Sequence, residues 1–102
     1  MLNNAAEAYW FVMNHPKLLY KECIDPWFEI TPHMVNEKGF VSENEEENTI
    51  LEWWIECGPY VDDKHFGLIP FHDYELDCGG RTAEDAVMKL AILVKEKYGD
   101  YE

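Results

Sequence analysis

Residues 49–57 read TILEWWIEC. In an extended chain, Leu51, Trp53, Ile55 and Cys57 fall on one face, and Ile50, Glu52, Trp54 and Glu56 on the other. A helix would scatter both sets around its circumference. The segment therefore predicts a β-strand with one face on a core and an opposite face that mixes acids with a tryptophan. Gly58 and Pro59 stop it.

Two helices are expected around this strand. Near the N-terminus, Asn4 with Glu7 three residues on is an Asn version of the capping box. Ala6, Trp10 and Met13, with Tyr9 beside them, supply an apolar stripe, and Pro16 ends the helix or starts a short second turn through KLLYKEC. At the other end Thr82 caps and Asp85 answers it, opening a helix over 83–98. Its stripe is Ala83, Ala86, Val87, Leu90, Ala91, Val94 and Tyr98, and Gly99 is the C-cap. Lys95 and Lys97 suit the negative end of its dipole.

Further strands are expected over Trp27–Val35, with Pro32 marking an edge or a bulge, and through FHDYELDC, where Asp73, Glu75 and Asp77 share one face. NEKG is a turn and FVS resumes extended chain. ENEEEN and VDDKHFG read as loops, and Gly79–Gly80 as a sharp reversal before the last helix. The sum is one α+β domain over residues 1–102: a two-layer sandwich of α-β-β-β-α order. Both helices would cover one face of a three- to four-stranded antiparallel sheet.

The charge balance narrows the partners. There are 21 acidic residues against 8 Lys and Arg, a net charge of −13. Direct nucleic-acid binding, which releases counterions from phosphates through cations, is excluded, and so is an anionic membrane surface. Cys23, Cys57 and Cys78 form no C-x-x-C pair, and the longest apolar run near the C-terminus, LAILV, is far too short for a membrane span. The N-terminal MLNNAAEAYWFVMNHPK has no basic region ahead of an apolar run. The expectation is a protein of the reducing cytoplasm with free thiols.

Several residue groups could carry chemistry. His65, His72, Cys57 and Cys78 are zinc-ligand types, but no two have the usual short spacing. His72, Asp73, Glu75 and Asp77 would suit a small metal-dependent or hydrolytic enzyme, because carboxylates two apart on a strand can share a hard cation. Cys57 with His65 is a weaker nucleophile pair. GGRT ahead of a helix could hold an anion, but Glu84 and Asp85 already serve that helix end.

The strongest signal is acidic. Between Gly39 and Asp63 the chain carries Glu43, Glu45, Glu46, Glu47, Glu52, Glu56, Asp62 and Asp63 and no Lys or Arg. Glu52, Trp54 and Glu56 on one strand face, joined by Glu75 and Asp77 and by the loop Glu45, Glu46 and Glu47, make a surface for a basic protein. An aromatic anchor supplies affinity and charge supplies encounter rate and choice. A nucleic-acid-binding protein, whose groove such carboxylates would enter in place of phosphates, is one form of that partner. A separate reading is a homo-oligomeric structural protein that uses Trp54 or Trp27 as a self-interface. No cofactor and no catalytic residue are expected.

The segment YELDCGGRTAEDAVMKLAILVKEKYG, residues 74–99, resembles the strand–Gly turn–helix of HicB-type antitoxins, matching at Gly80, Thr82, Glu84 or Asp85, and Ala86. The small size, acidity and aromatic richness resemble orphan phage or prophage proteins. That resemblance implies an inhibitor of a host protein.

Overall fold

A computed structural model describes residues 2–20 and 24–101. Cys23 lies outside the described residues. The elements run α1 (Ala5–Met13), β1 (Trp27–Val35), β2 (Ile50–Gly58), β3 (Tyr60–Asp63), β4 (Gly67–Pro70), β5 (Leu76–Gly80) and α2 (Ala83–Tyr98), with single 3-10 turns at Glu45–Glu47 and His72–Tyr74. The α+β class and the two terminal helices stand as expected.

The alternating segment at 49–57 becomes the central strand. β2 pairs antiparallel with β1 on one side and β5 on the other, so the main sheet has the order β1-β2-β5. Pro32 is tolerated because β1 is an edge strand and a proline has no N–H for a ladder. Ile55 and Cys57 are fully buried on the helix-facing side, with Phe28, Ile30, Trp53, Leu76 and Cys78 packed against the core around them.

α2 closes that side with Ala86, Leu90, Ala91 and Val94, all fully buried. Thr82 Oγ1 accepts from the Asp85 amide at 3.0 Å, and Gly99 takes φ 82° at the C-cap, as its sequence predicts. Lys95 then bridges to Asp100 at 3.5 Å.

α1 packs on α2 with a different stripe from the one expected. Ala8, Val12 and Met13 are buried, whereas Ala6 is exposed and Trp10 is 62% exposed. The segment AAEAYWFVM is apolar nearly all round, so two stripes fit its period; Met13 belongs to both, and the one through Ala8 and Val12 is the one that is buried. The cap forms as read: Asn4 Oδ1 accepts from the Glu7 amide, and Glu7 reaches back to the Asn3 amide, each at 2.9 Å.

His15, only 2% exposed, joins the two chain ends. Its Nδ1 accepts from the Lys17 amide at 3.2 Å and its Nε2 donates to the Gly99 carbonyl at 2.9 Å. Phe11, Tyr98 and Tyr101 surround the ring.

Four expectations are corrected. The segment VDDKHFG is no plain loop: β3 and β4 form a separate two-stranded hairpin, turned by Asp63 Oδ1, which accepts from the His65 and Phe66 amides, and by Gly67 at φ 77°. Phe66 at its tip is 81% exposed. ENEEEN, whose acidic composition reads as a structureless loop, is held: Asn44 caps the Glu46 amide, and Asn48 bonds both the amide and the carbonyl of Ser42. FVS forms no strand.

Finally, β5 begins only at Leu76 and runs straight through Gly79 and Gly80. Those glycines are needed for a missing Cβ and not for a reversal. A Cβ on Gly80 would lie 2.7 Å from the backbone nitrogen of Ala86, so α2 can sit this close only over glycine.

Candidate protein-binding face

The pairing of the three strands decides what shares the face turned away from the helices. Glu29 of β1, Glu56 of β2 and Asp77 of β5 stand directly opposite one another, three acids in one row. The next row is Thr31, Trp54 and Gly79, and beyond it His33 faces Glu52. His33 stacks on Trp54, with ring centroids 4.0 Å apart and planes 26° from parallel, and Thr31 Oγ1 lies 3.1 Å from its Nε2.

At Gly79 the missing Cβ lets the Glu52 carboxylate lie against the strand beside the indole. A Cβ there would collide with the Glu52 carboxylate and come to 3.3 Å from Trp54 Cδ1. The result is a groove of about 400 Å³ lined by Phe40, Glu52, Trp54, Glu56, Asp77 and Gly79. Phe40 stands at its margin, 69% exposed, presented by the turn in which Asn36 Oδ1 accepts from the Lys38 and Phe40 amides.

The acids interact. Burial pushes the Glu56 carboxyl above the usual carboxylate range; Glu75, Glu29 and Asp77 push it the same way, and His72 pulls against them. Among the described residues no salt bridge reaches Glu52, Glu56 or Asp77. Like charges directly opposite across strands destabilise a sheet. This face therefore carries an electrostatic cost that only a proton or an incoming cation can relieve.

Of the sequence-predicted contact residues, the structure brings Glu52, Trp54, Glu56 and Asp77 together. Glu75 sits just before β5, with its carboxylate 3.2 Å from His72 Nδ1. Glu46 and Glu47 border a different hollow, of about 510 Å³, with Asn36, Glu37, Lys38 and Thr49. Glu45 lines neither. Glu29, His33 and Phe40 were missed, because only the strand pairing and the turn carry them to the face. Trp27, considered for a self-interface, is 7% exposed, its ring 5.6 Å from that of His72. It has no free surface to offer.

The alternative sites do not assemble. Asp73 lies in the 3-10 turn, off the strand, so His72, Asp73, Glu75 and Asp77 do not share one strand face. Cys57 is buried in the core, Cys78 Sγ lies 3.4 Å from the Ala86 carbonyl, and His65 sits at the hairpin turn against Phe66. Among the described residues no three His, Cys, Asp or Glu side chains converge to hold a metal. Burial pushes the Cys57 thiol up to about 12 and the Cys78 thiol up to about 11, opposite to what a nucleophile needs.

No described helix is long and apolar enough to cross a membrane. No protein-family model, curated protein or solved structure matches this chain, so the resemblance of residues 74–99 to HicB-type antitoxins rests on the strand–turn–helix segment itself.

Proposed function

We propose that the open sheet face binds a basic surface on another protein and blocks it. The observation that carries this reading is the row Glu29–Glu56–Asp77 beside Trp54, in a groove where, among the described residues, no salt bridge reaches Glu52, Glu56 or Asp77. An aromatic at the centre of a charged patch supplies the anchor, and the net charge of −13 steers a basic partner toward it. Where that partner's basic surface is a nucleic-acid-binding groove, occupation would exclude the nucleic acid, and the protein would act as an inhibitor. Free thiols at Cys57 and Cys78 suit the reducing cytoplasm as the place of action.

The test is capture from a host lysate with the tagged protein, eluted by a salt step, followed by affinity measurement on the partner recovered. Glu52→Lys with Glu56→Lys, and separately Trp54→Ala, are each expected to weaken binding by about tenfold or more while the thermal transition stays cooperative. Unchanged affinity in both variants would place the contact elsewhere on the molecule.

A further inference from the structure

The groove also indicates which cation it takes. We infer that it is a socket for an arginine side chain presented by the partner; this rests on the protein-binding reading above and names the group recognised. The indole of Trp54 is held in place by His33 on one face, so its orientation is set before a ligand arrives. Gly79 lets the Glu52 carboxylate lie beside the indole, and Phe40 offers a second aromatic surface in the groove's lining. Glu52 lies on one side of the Trp54 row and Glu56 with Asp77 on the other.

A guanidinium matches that combination. It is planar, so it stacks on an indole, and its fork of N–H donors meets carboxylates at its edge in pairs. A lysine ammonium is a compact, strongly hydrated point charge and can use the carboxylates but gains less from the flat ring. The larger hollow near Glu46 and Glu47 lacks an aromatic side chain and has Lys38 in its wall, so it is the poorer place for a cation.

The experiment uses the full chain with 15N-labelled tryptophan. The probes are a 12-residue Gly/Ser peptide carrying four arginines and the same peptide carrying four lysines, at constant ionic strength. The expected result is a saturable shift of the Trp54 indole signal, with the arginine peptide binding about threefold or more tighter than the lysine peptide. Glu52→Gln and Glu56→Gln should each weaken the arginine peptide, and Glu46→Gln should not.

Equal affinity for the two peptides, or an indole signal that does not move, refutes the socket while leaving a basic partner free to bind by charge alone. If instead the arginine peptide binds at Trp54 but the double Lys and Trp54→Ala variants both still capture the lysate partner, that partner docks elsewhere: the assignment of this face to it fails and the socket stands.

Discussion

His33 lies almost flat on Trp54, its ring centroid 4.0 Å from the indole's. The two residues come from neighbouring strands but are not directly opposite: Trp54 pairs with Thr31, and His33 pairs with Glu52. The stack is thus a diagonal cross-strand contact that ties the edge strand to the centre of the binding face. Replacing His33 by Ala should cost about 0.5–1.5 kcal/mol. A lowered urea midpoint with an unchanged slope would show it; an unchanged midpoint would mean that the stack contributes nothing to stability.

Glu56 predicts an inverted pH response. Its carboxyl is raised by burial and then by Glu75, Glu29 and Asp77, so the folded protein holds that proton more tightly than the unfolded chain does. Stability from this group falls as pH rises from the ordinary value of 4.5 through the raised folded value, and the penalty persists above it. Glu56→Gln should therefore melt higher than the parent at pH 7, with the gain shrinking as the pH falls to about 4. Melting curves at the two pH values decide it, and a variant that melts lower at pH 7 contradicts the cause assigned here.

Gly79 and Gly80 should respond very differently to alanine. At Gly80 the new methyl meets the backbone of Ala86 and Asp85, which belong to α2 and cannot move alone. A loss of about 2 kcal/mol or more is expected. At Gly79 the methyl meets the end of the flexible Glu52 side chain, which can swing away. There the loss should stay below about 1 kcal/mol. Chemical denaturation of the two variants side by side gives the comparison, and similar losses would contradict the packing described.

The two described thiols should be inert in the folded state. Burial pushes the Cys57 thiol up to about 12 and the Cys78 thiol up to about 11, so neither supplies thiolate at neutral pH. Iodoacetamide at pH 7.5, read by peptide mass mapping, should label Cys57 and Cys78 only after denaturant is added. Rapid labelling of Cys57 in the native protein would mean that the core opens on the reaction timescale.

The sequence makes the long periodic elements legible. β2 and α2 carry their apolar residues at one unbroken period over nine and sixteen residues, and the structure keeps both. The hairpin β3–β4 escaped because each strand is only four residues long and its turn carries Asp63, Lys64 and His65, which by composition read as loop. The alternation through His72–Glu75 was a false period, since nothing pairs with that stretch and it closes into a 3-10 turn. For the binding face, Glu52, Trp54 and Glu56 follow from their own strand. Glu29 and His33 become neighbours only through the pairing with β1, which no local pattern encodes. The loop acids Glu45–Glu47 looked equivalent to the face by charge, yet in the turn held by Ser42, Asn44 and Asn48 Glu46 and Glu47 line a different hollow, with Asn36, Glu37 and Lys38.

Adjacent glycines at the end of β5 point to opposite layers, one toward the groove and one toward α2. Their order locks the strand in phase. A slide of β5 by one position in one direction would set Arg81, in place of hydrogen, against a helix backbone that admits only hydrogen. It would also carry Asp77 off the acidic row and into the apolar layer. The register of these two residues thus fixes which side chains β5 contributes to each face of the sheet.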